Sequence, residues 1–314
     1  MTKSYRCSLV IPTKDAGDLF KRVLAGLQSQ TIWADVEFVI IDSGSKDDTV
    51  ALARAAGATC ISIPPSEFNH GATRDAAIAA TSTNRIILLV QDATPNDAHL
   101  LETLVAALDE DNVAGVYARQ IPYPDADVIT ARNLNMHLTG RMQRDVCTIA
   151  DMAAYKAMTP MQRYHLCNFD NVCSAIRKDV WELEKFGRIN FGEDIDWSER
   201  ALKRGYKIVY EPRAAVIHSH DRPMIYEYKR TYVCHRKLYA QFGLQTTATI
   251  GNALHGWAHW SLRDMLYIAR TEKDWRTRIV MILKTPILNF LRIAGQYQAV
   301  RDEKAGTVKA VRGV

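Results

Sequence analysis

Residues 36–49 read Val-Glu-Phe-Val-Ile-Ile-Asp-Ser-Gly-Ser-Lys-Asp-Asp-Thr. The run Val36–Ile41 is almost wholly apolar and rich in β-favouring residues, as a strand buried on both faces must be. It stops at Asp42-Ser43-Gly44-Ser45, small polar residues that suit a sharp turn, and a helical period follows from about Asp47. A carboxylate at a strand end beside glycine and hydroxyls can accept hydrogen bonds from a ribose or a base. It can equally form an Asx turn leading into the next helix.

The same rhythm extends in both directions. Short apolar runs occur at Cys7–Ile11, Thr59–Ile63, Arg85–Val90 and Val113–Ala118, with helical patterns at Asp18–Gln30, Asp47–Ala56, Ala72–Ala80 and Asp97–Leu108. Alternating strand and helix predicts an α/β fold with a mostly parallel sheet covered on both faces. Ligands of such sheets bind at the carboxyl edge, where Pro12-Thr13, Asp42-Ser43-Gly44-Ser45 and Gln91-Asp92-Ala93 stand. Residues 119–165, with Pro122, Pro124 and Pro160, read as a mobile loop near a site. Beyond it come a strand at Val172–Ile176, a helix at Trp197–Arg204 stopped by Gly205, and two short strands, Lys207–Tyr210 and Ala214–His218. A boundary near Asp221 divides an N-terminal domain, residues 1–221, from a helical, basic, aromatic-rich region, residues 222–314.

Composition narrows the class. The 314 residues are 47% hydrophobic and 24% charged, ordinary for a soluble protein large enough for two domains. The net charge of +5 is unevenly placed: residues 222–314 hold 16 Lys/Arg against 6 Asp/Glu, and the remainder is net acidic. A basic end on an acidic body points to an anionic membrane surface or polyanion as partner for that end. The acidic body and the lack of a recognised motif speak against nucleic acid. Six scattered cysteines without a C-x-x-C pair predict reduced thiols in a cytoplasmic protein. Neither a signal peptide nor a run of about 18 apolar residues is expected.

Four groups of residues could carry chemistry, and each has a plain structural alternative. Asp92 ends the strand Arg-Ile-Ile-Leu-Leu-Val-Gln-Asp and could hold a divalent cation on a phosphate, or merely cap a turn. His218 and His220 follow the strand Ala-Ala-Val-Ile as metal ligands or as ordinary histidines. In Phe68-Asn69-His70-Gly71-Ala72-Thr73-Arg74-Asp75, Gly71 and the helix start could approach an anion and Arg74 a phosphate, or the segment is a capped helix. Gly192-Glu193-Asp194-Ile195-Asp196-Trp197 sets three acids within four residues. A helix dipole accounts for one or two of them, less readily for all three.

In this order and at these strand ends, the segments resemble the inverting family-two glycosyltransferases of the GT-A fold. The likeness runs from about Ser8 to His220. SLVIPTKDAG looks like the family's opening strand, VIIDSGSKDDT like its nucleotide-binding strand end, and FGEDIDWSERALKRGYKIVYEP like its acidic catalytic segment. FNHGATRD, VQDATP, YARQIP, FDNVCSAIRKDVW and VIHSH look like the bacterial rhamnosyltransferases of that family. One departure is that Val90-Gln91-Asp92 replaces the usual Asp-x-Asp, so Asp92 takes the second, metal-binding position.

The resemblance implies a GT-A, Rossmann-like domain with a C-terminal helical extension, and transfer of a sugar from a nucleotide donor. It favours dTDP-rhamnose, with a UDP-hexose as the alternative donor. The acceptor implied is a hydroxyl of a glycan or a polyprenyl-diphosphate-linked glycan. It assigns Asp194 as general base with Glu193 beside it, and Asp92 and His218 as ligands of Mg²⁺ or Mn²⁺, with His220 second in line. Pro12, Thr13, Asp42, Ser43, Gly44, Arg74, Gln91 and Asp92 would bind the nucleotide sugar, and Trp197 and Asn171 would face the acceptor. A nucleotide-binding protein that has lost catalysis is the rival from another class. In residues 222–314, aromatic and basic side chains at helical spacing flank IVMILKTPILNFLRI. They fit a helix lying at the inner face of a bacterial membrane, or a subdomain packed on the core or on a second copy in a homo-oligomer.

Overall fold

The structure, a computed structural model, describes residues 4–219 and 223–307. Its strands are β1 (Cys7–Thr13), β2 (Val36–Asp42), β3 (Thr59–Ser62), β4 (Arg85–Leu89), β5 (Thr94–Pro95), β6 (Val113–Ile121), β7 (Asp145–Cys147), β8 (Cys173–Arg177) and β9 (Lys207–Ile217). The helices of the first half are α1 (Gly17–Gln28), α2 (Thr49–Ala55), α3 (His70–Ala79), α4 (Leu100–Leu108), α5 (Val128–Met136) and α6 (Met152–Ala157). Those of the second half are α7 (Pro160–Leu166), α8 (Lys178–Leu183), α9 (Glu193–Lys203), α10 (Met224–Phe242), α11 (Ile250–Thr271) and α12 (Trp275–Ala305).

The strands join in the order β3-β2-β1-β4-β8-β6-β9-β5, with β7 paired to β9. The run β3-β2-β1-β4 is parallel throughout, as the alternating sequence predicts. Beyond it the sheet is mixed. β8 is antiparallel to both β4 and β6, while β6 and β9 are parallel. A strand's direction depends on the route of the long connection before it, and apolar runs do not record that route. Lys207–Ile217 is one strand rather than two. The gap read between Tyr210 and Ala214 is a bulge, where the β6 register jumps from Glu211 to Ala215.

Strand alternation builds two packed faces. Cys7, Leu9 and Ile11 join Phe20, Val23 and Leu27 of α1 and Leu101, Leu104 and Leu108 of α4 in the main apolar cluster. Their alternates Ser8 and Val10 are buried on the opposite face, against which α3 lies. The sequence order turns back between β1 and β4, so their carboxyl ends flank a crevice.

The chain forms two compact units. The first holds residues 1–123, 134–157 and 165–219; the second holds 124–133, 158–164 and 220–314. The boundary expected near Asp221 falls outside the described residues. Two inner segments assigned by sequence to the N-terminal domain group instead with the C-terminal helices. Arg132 Nη2 meets the buried Asp264 Oδ1 at 2.6 Å, and Arg163 Nη2 donates to the carbonyl of Phe242 at 2.9 Å. Residues 119–165 are also more regular than expected, since they carry α5, β7, α6 and most of α7.

Trp197 shows how tightly the region around the acidic segment packs. It is fully buried, with ring centroids 5.3 Å from Phe169 and 5.8 Å from Phe186. Gly115 on β6 makes room for it: a Cβ there would stand 2.9 Å from both the Trp197 and Phe169 rings. The acceptor-side role expected for Trp197 is therefore corrected, because a side chain with no exposed surface cannot present a wall to a sugar. Trp197→Ala should destabilise the protein by about 3–5 kcal/mol, the usual range for a buried tryptophan. Urea unfolding checks this, and unchanged stability would return Trp197 to the surface.

Candidate active site

The crevice between β1 and β4 opens as a cavity of about 360 Å³ lined by Pro12, Thr13, Lys14, Ser43, Val90 and Gln91, with Pro65, Phe68, His70 and Arg74 completing it. Pro12, Thr13, Ser43, Arg74 and Gln91 are thus brought together as the sequence predicts. Asp42 stands behind the wall. It is buried, and its carboxylate accepts from Thr13 Oγ1 (3.0 Å), Gly44 N (2.9 Å), Ser45 N (2.8 Å) and Ser45 Oγ (2.5 Å). That is the turn-forming alternative, and it shapes the turn from which Ser43, but not Gly44, lines the cavity. Gly44 has φ +84°, a left-handed backbone that glycine adopts without strain. Gln91 lines the cavity, but its amide is spent on the main chain: Oε1 accepts from Lys14 N at 2.7 Å and Nε2 donates to Lys14 O at 3.0 Å. It ties the ends of β1 and β4 together across the crevice. Lys14, Pro65, Phe68, His70 and Val90 were not assigned from sequence, although Phe68 and His70 lie in the segment singled out there.

Helix α3 carries the next layer. Asn69 caps it by accepting from Ala72 N at 3.0 Å. Gly71 lies so close to the loop before α9 that a Cβ would fall 2.1 Å from the Gly187 carbonyl, and its N–H donates to Ile189 O at 3.1 Å. One turn on, Asp75 accepts from Trp181 Nε1 (2.6 Å), Phe186 N (3.0 Å) and Gly187 N (2.8 Å). The loop leading to the acidic segment is therefore fixed to α3, and Gly192, at φ +71°, turns it into α9.

The three acids then take different surroundings. Glu193 is buried and pairs with buried Arg74 Nη1 at 3.0 Å, and it also accepts from Asn171 Nδ2 at 3.2 Å. Asp194 is half-buried and, among the described residues, accepts from main-chain donors alone, Asn171 N at 3.2 Å and its own helix's Ile195 N at 2.8 Å. Burial, and then the charges of Glu193 and Asp170, push its carboxyl up to about 8. Asp196 pairs with Arg200 at 3.0 Å, as the helix-face alternative implies. Asn171 is 2% exposed, so its side chain orients Glu193 rather than facing an acceptor; this corrects the expectation for it. Arg74 lines the cavity as expected, yet its first commitment is to Glu193. Its buried Nε has no hydrogen-bond partner among the described residues.

The expected metal pair is also adjacent. His218 Nε2 lies 3.7 Å from Asp92 Oδ1, and His218 is buried while Asp92 is partly exposed. His220 lies outside the described residues. Gln120, which sequence reasoning missed, sets the histidine. Its Nε2 donates to Asp170 Oδ2 at 2.7 Å, which leaves Oε1 as acceptor for His218 Nδ1 at 2.9 Å. This network places the imidazole proton on Nδ1 and the lone pair of Nε2 on the Asp92 side. Among the described residues no cluster of three or more His, Cys, Asp or Glu could hold a metal. One carboxylate and one imidazole fit Mg²⁺ or Mn²⁺, ions that bind few protein groups and fill their remaining positions with phosphate oxygens and water.

Comparison with known proteins identifies the family. The profile of Glycosyl transferase family 2 matches residues 8–183. The chain is 32% identical to the O-antigen chain rhamnosyltransferase RfbN of Salmonella typhimurium over 231 residues, 72% of this chain and 70% of that protein. It is also 32% identical to the O-antigen chain rhamnosyltransferase WbaN of Salmonella anatum over 233 residues, with the same coverage of 72% and 70%. The mannosyltransferase PcManGT from Pyrobaculum calidifontis, solved with GDP-Man and Mn²⁺, superposes with a TM-score of 0.62 at 15% identity, covering 98% of this chain and 89% of that one. The fold is thus the GT-A fold, with a mixed sheet and C-terminal helices. From the profile match and the two Salmonella relatives, the chain belongs to glycosyl transferase family 2 and is a glycosyltransferase.

Proposed function

We propose that the enzyme transfers L-rhamnose from dTDP-rhamnose to a hydroxyl of a glycan or a polyprenyl-diphosphate-linked glycan, with inversion and with Mg²⁺ or Mn²⁺ as cofactor. The setting is cell-surface polysaccharide synthesis on the cytoplasmic side of a bacterial plasma membrane. The similarity to two O-antigen chain rhamnosyltransferases supports the donor. One geometric fact carries the mechanism. Asp194, alone among the three clustered acids, has no cationic partner among the described residues, and it is held by main-chain N–H groups at the start of α9.

In this reading the nucleotide occupies the cavity at the β1–β4 crevice, between the Ser43 edge and Phe68. Arg74, which lines this cavity, places its positive charge beside the diphosphate. Asp92 and His218 would hold the cation, which supplies Lewis-acid stabilisation of the departing diphosphate. The acceptor hydroxyl hydrogen-bonds to Asp194, and its oxygen attacks the anomeric carbon from the face opposite the diphosphate. The bond from that carbon to the diphosphate oxygen breaks with its electron pair, and the hydroxyl proton passes to Asp194. A single displacement inverts the anomeric centre. Glu193, neutralised by Arg74, keeps Asn171 and hence Asp194 in place.

Asp194→Asn should lower transfer by about 10²–10⁴-fold, the span of a general base, while dTDP binding stays within a few-fold of the parent. Release of nucleoside diphosphate from a donor panel, read beside dTDP binding, checks both. Turnover of a uridine-linked sugar in place of dTDP-rhamnose would keep the mechanism and overturn the donor.

The raised Asp194 pKa makes two further predictions of definite sign. A base must be unprotonated, so kcat/KM should rise with pH through about 8. The folded carboxyl also titrates above its ordinary value of 3.8, so between 3.8 and about 8 the native state binds a proton that the unfolded state releases. Stability from this group is therefore lost as pH rises across that window. The stability of Asp194→Asn relative to the parent should accordingly increase with pH, by at most about 1.4 kcal/mol per unit. Urea titrations at several pH values read this directly, and a difference independent of pH would remove the shift.

Gln120→Leu should weaken Mn²⁺ binding in the presence of dTDP by about 10–100-fold, as removal of a ligand-orienting partner does. Mn²⁺ electron paramagnetic resonance measures this without turnover. Unchanged affinity would detach Gln120 from the metal pair.

A further inference from the structure

The second unit carries a feature that the catalytic reading leaves unused. Helices α11 and α12 pack against each other through Asp264, Asn289, Trp257 and Pro286, with Asn289 Nδ2 donating to Asp264 Oδ2 at 3.0 Å and Trp257 Nε1 to the Pro286 carbonyl at 2.8 Å. The far half of α12 is engaged by α10, where Arg292 pairs with Glu227 at 2.9 Å and Tyr232 OH donates to Asp302 Oδ2 at 2.9 Å. Among the described residues, nothing covers the outer side of the near half of α12. Ile279, Leu283, Ile287 and Phe290 recur every three to four residues and are each half or more exposed. Leu254, Leu262 and Leu266 form a similar exposed row on α11.

At 3.6 residues per turn, both rows are displaced from the packed residues in the same rotational sense, by roughly a quarter to a half of a turn. In an antiparallel pair that sense brings both rows out on a single face. Contiguous apolar surface of this kind is uncommon on a protein that meets only water.

The charges around the face identify its partner. Residues 250–292 contain seven Lys/Arg and three Asp/Glu. Of the acids, Asp264 is buried against Arg132, and Asp274 is occupied in capping α12 through Thr277 N at 2.7 Å. Arg263, Arg270, Lys273, Arg276 and Lys284 remain exposed beside the apolar rows. Arg263 lies 5.1 Å over the Trp260 ring and Arg276 5.3 Å over the Trp275 ring, so aromatic rings and cationic heads are paired on this helix pair. Such pairs suit a boundary that is apolar below and polar above. A second copy would bring the same positive charge to this face and be repelled by it. An anionic bilayer is attracted.

We propose that the outer face of α11 and the near half of α12 docks on an anionic phospholipid bilayer. In that arrangement Ile279, Leu283, Ile287 and Phe290 enter the acyl boundary while Arg270, Lys273, Arg276 and Lys284 meet the head groups. By length and composition α12 could also cross a membrane, with an 18-residue stretch of mean hydropathy 1.2 that is 17% buried. Its polar attachments to α10 and Lys284 within the apolar stretch favour lying along the surface instead. The inference does not use the donor or the acceptor, so it stands or falls apart from the catalytic reading.

Flotation of the full chain with vesicles tests it. The parent should float with phosphatidylglycerol vesicles, bind phosphatidylcholine at least tenfold less well, and be released by high salt. Leu283→Glu and Ile287→Glu lie on exposed positions, so they should keep the parent's melting temperature and lose at least tenfold in vesicle binding. Arg276→Glu should lose binding to the anionic vesicles alone. Failure of the parent to float, or full binding by the two glutamate variants, overturns the proposal. So does a dimer in solution that these variants dissociate, since a second copy would then cover the face. Retention through high salt until detergent is added would likewise overturn it in favour of a spanning helix.

Discussion

The arrangement of the site depends on the buried ion pair between Arg74 and Glu193, the former on α3 and the latter at the first turn of α9. Two charges removed from water attract strongly only if their remaining donors and acceptors are satisfied. Asn171 supplies part of that satisfaction for Glu193, and the His70 carbonyl part of it for Arg74 at 3.1 Å. Removing one partner would leave an uncompensated buried charge, a loss of about 3–5 kcal/mol in comparable cases. The pair is reinforced by Asp75, which gathers the loop before α9, and by the absence of a side chain at Gly71. A side chain at residue 71 would push that loop away and open the pair.

The same constraint organises the chemistry into two adjoining parts. On one side of α3 is the cavity at the crevice, whose edge is set by Asp42 and whose floor is tied by Gln91. On the other is the acidic segment. Asp170 connects the latter to the proposed metal pair, because it accepts from Gln120 and also adds its charge to the surroundings of Asp194. A change at the metal pair is therefore felt electrostatically at the proposed base through one carboxylate.

Much of this was legible in the sequence, where local physics decides the outcome. The apolar runs gave the strands, and the turn at Asp42-Ser43-Gly44 is formed by side chains that favour turns wherever they occur. The adjacency of Asp92 and His218 followed from two strand ends and the resemblance. Roles set by distant partners were not legible. Gln120 lies inside β6, and its function is fixed by His218, which follows 98 residues later, and by Asp170. No local pattern marks a glutamine for that task. Trp197 could be weighed either as a sugar wall or as core, and Gly115 on a separate strand settled it. The antiparallel placement of β8 and the grouping of residues 124–133 with the C-terminal helices likewise depend on long-range packing, which periodicity does not encode.

The three acids of the Gly192–Trp197 segment show why crowding carboxylates can be worth its cost. Glu193 is neutralised by Arg74, and Asp196 by Arg200. Both become structural, although the charge of Glu193 still raises the Asp194 carboxyl. Asp194 is left with two main-chain N–H groups, which orient a carboxylate without neutralising it. A cation beside it would make the carboxylate more comfortable but a poorer proton acceptor. Holding it by dipoles alone preserves its basicity, and the resulting instability of the charged form is borne by the paired residues on either side. The position of Asp194 follows from where α9 begins, beside the α3 residues Arg74 and Asp75, while its raised pKa comes from burial and from the charges of Glu193 and Asp170.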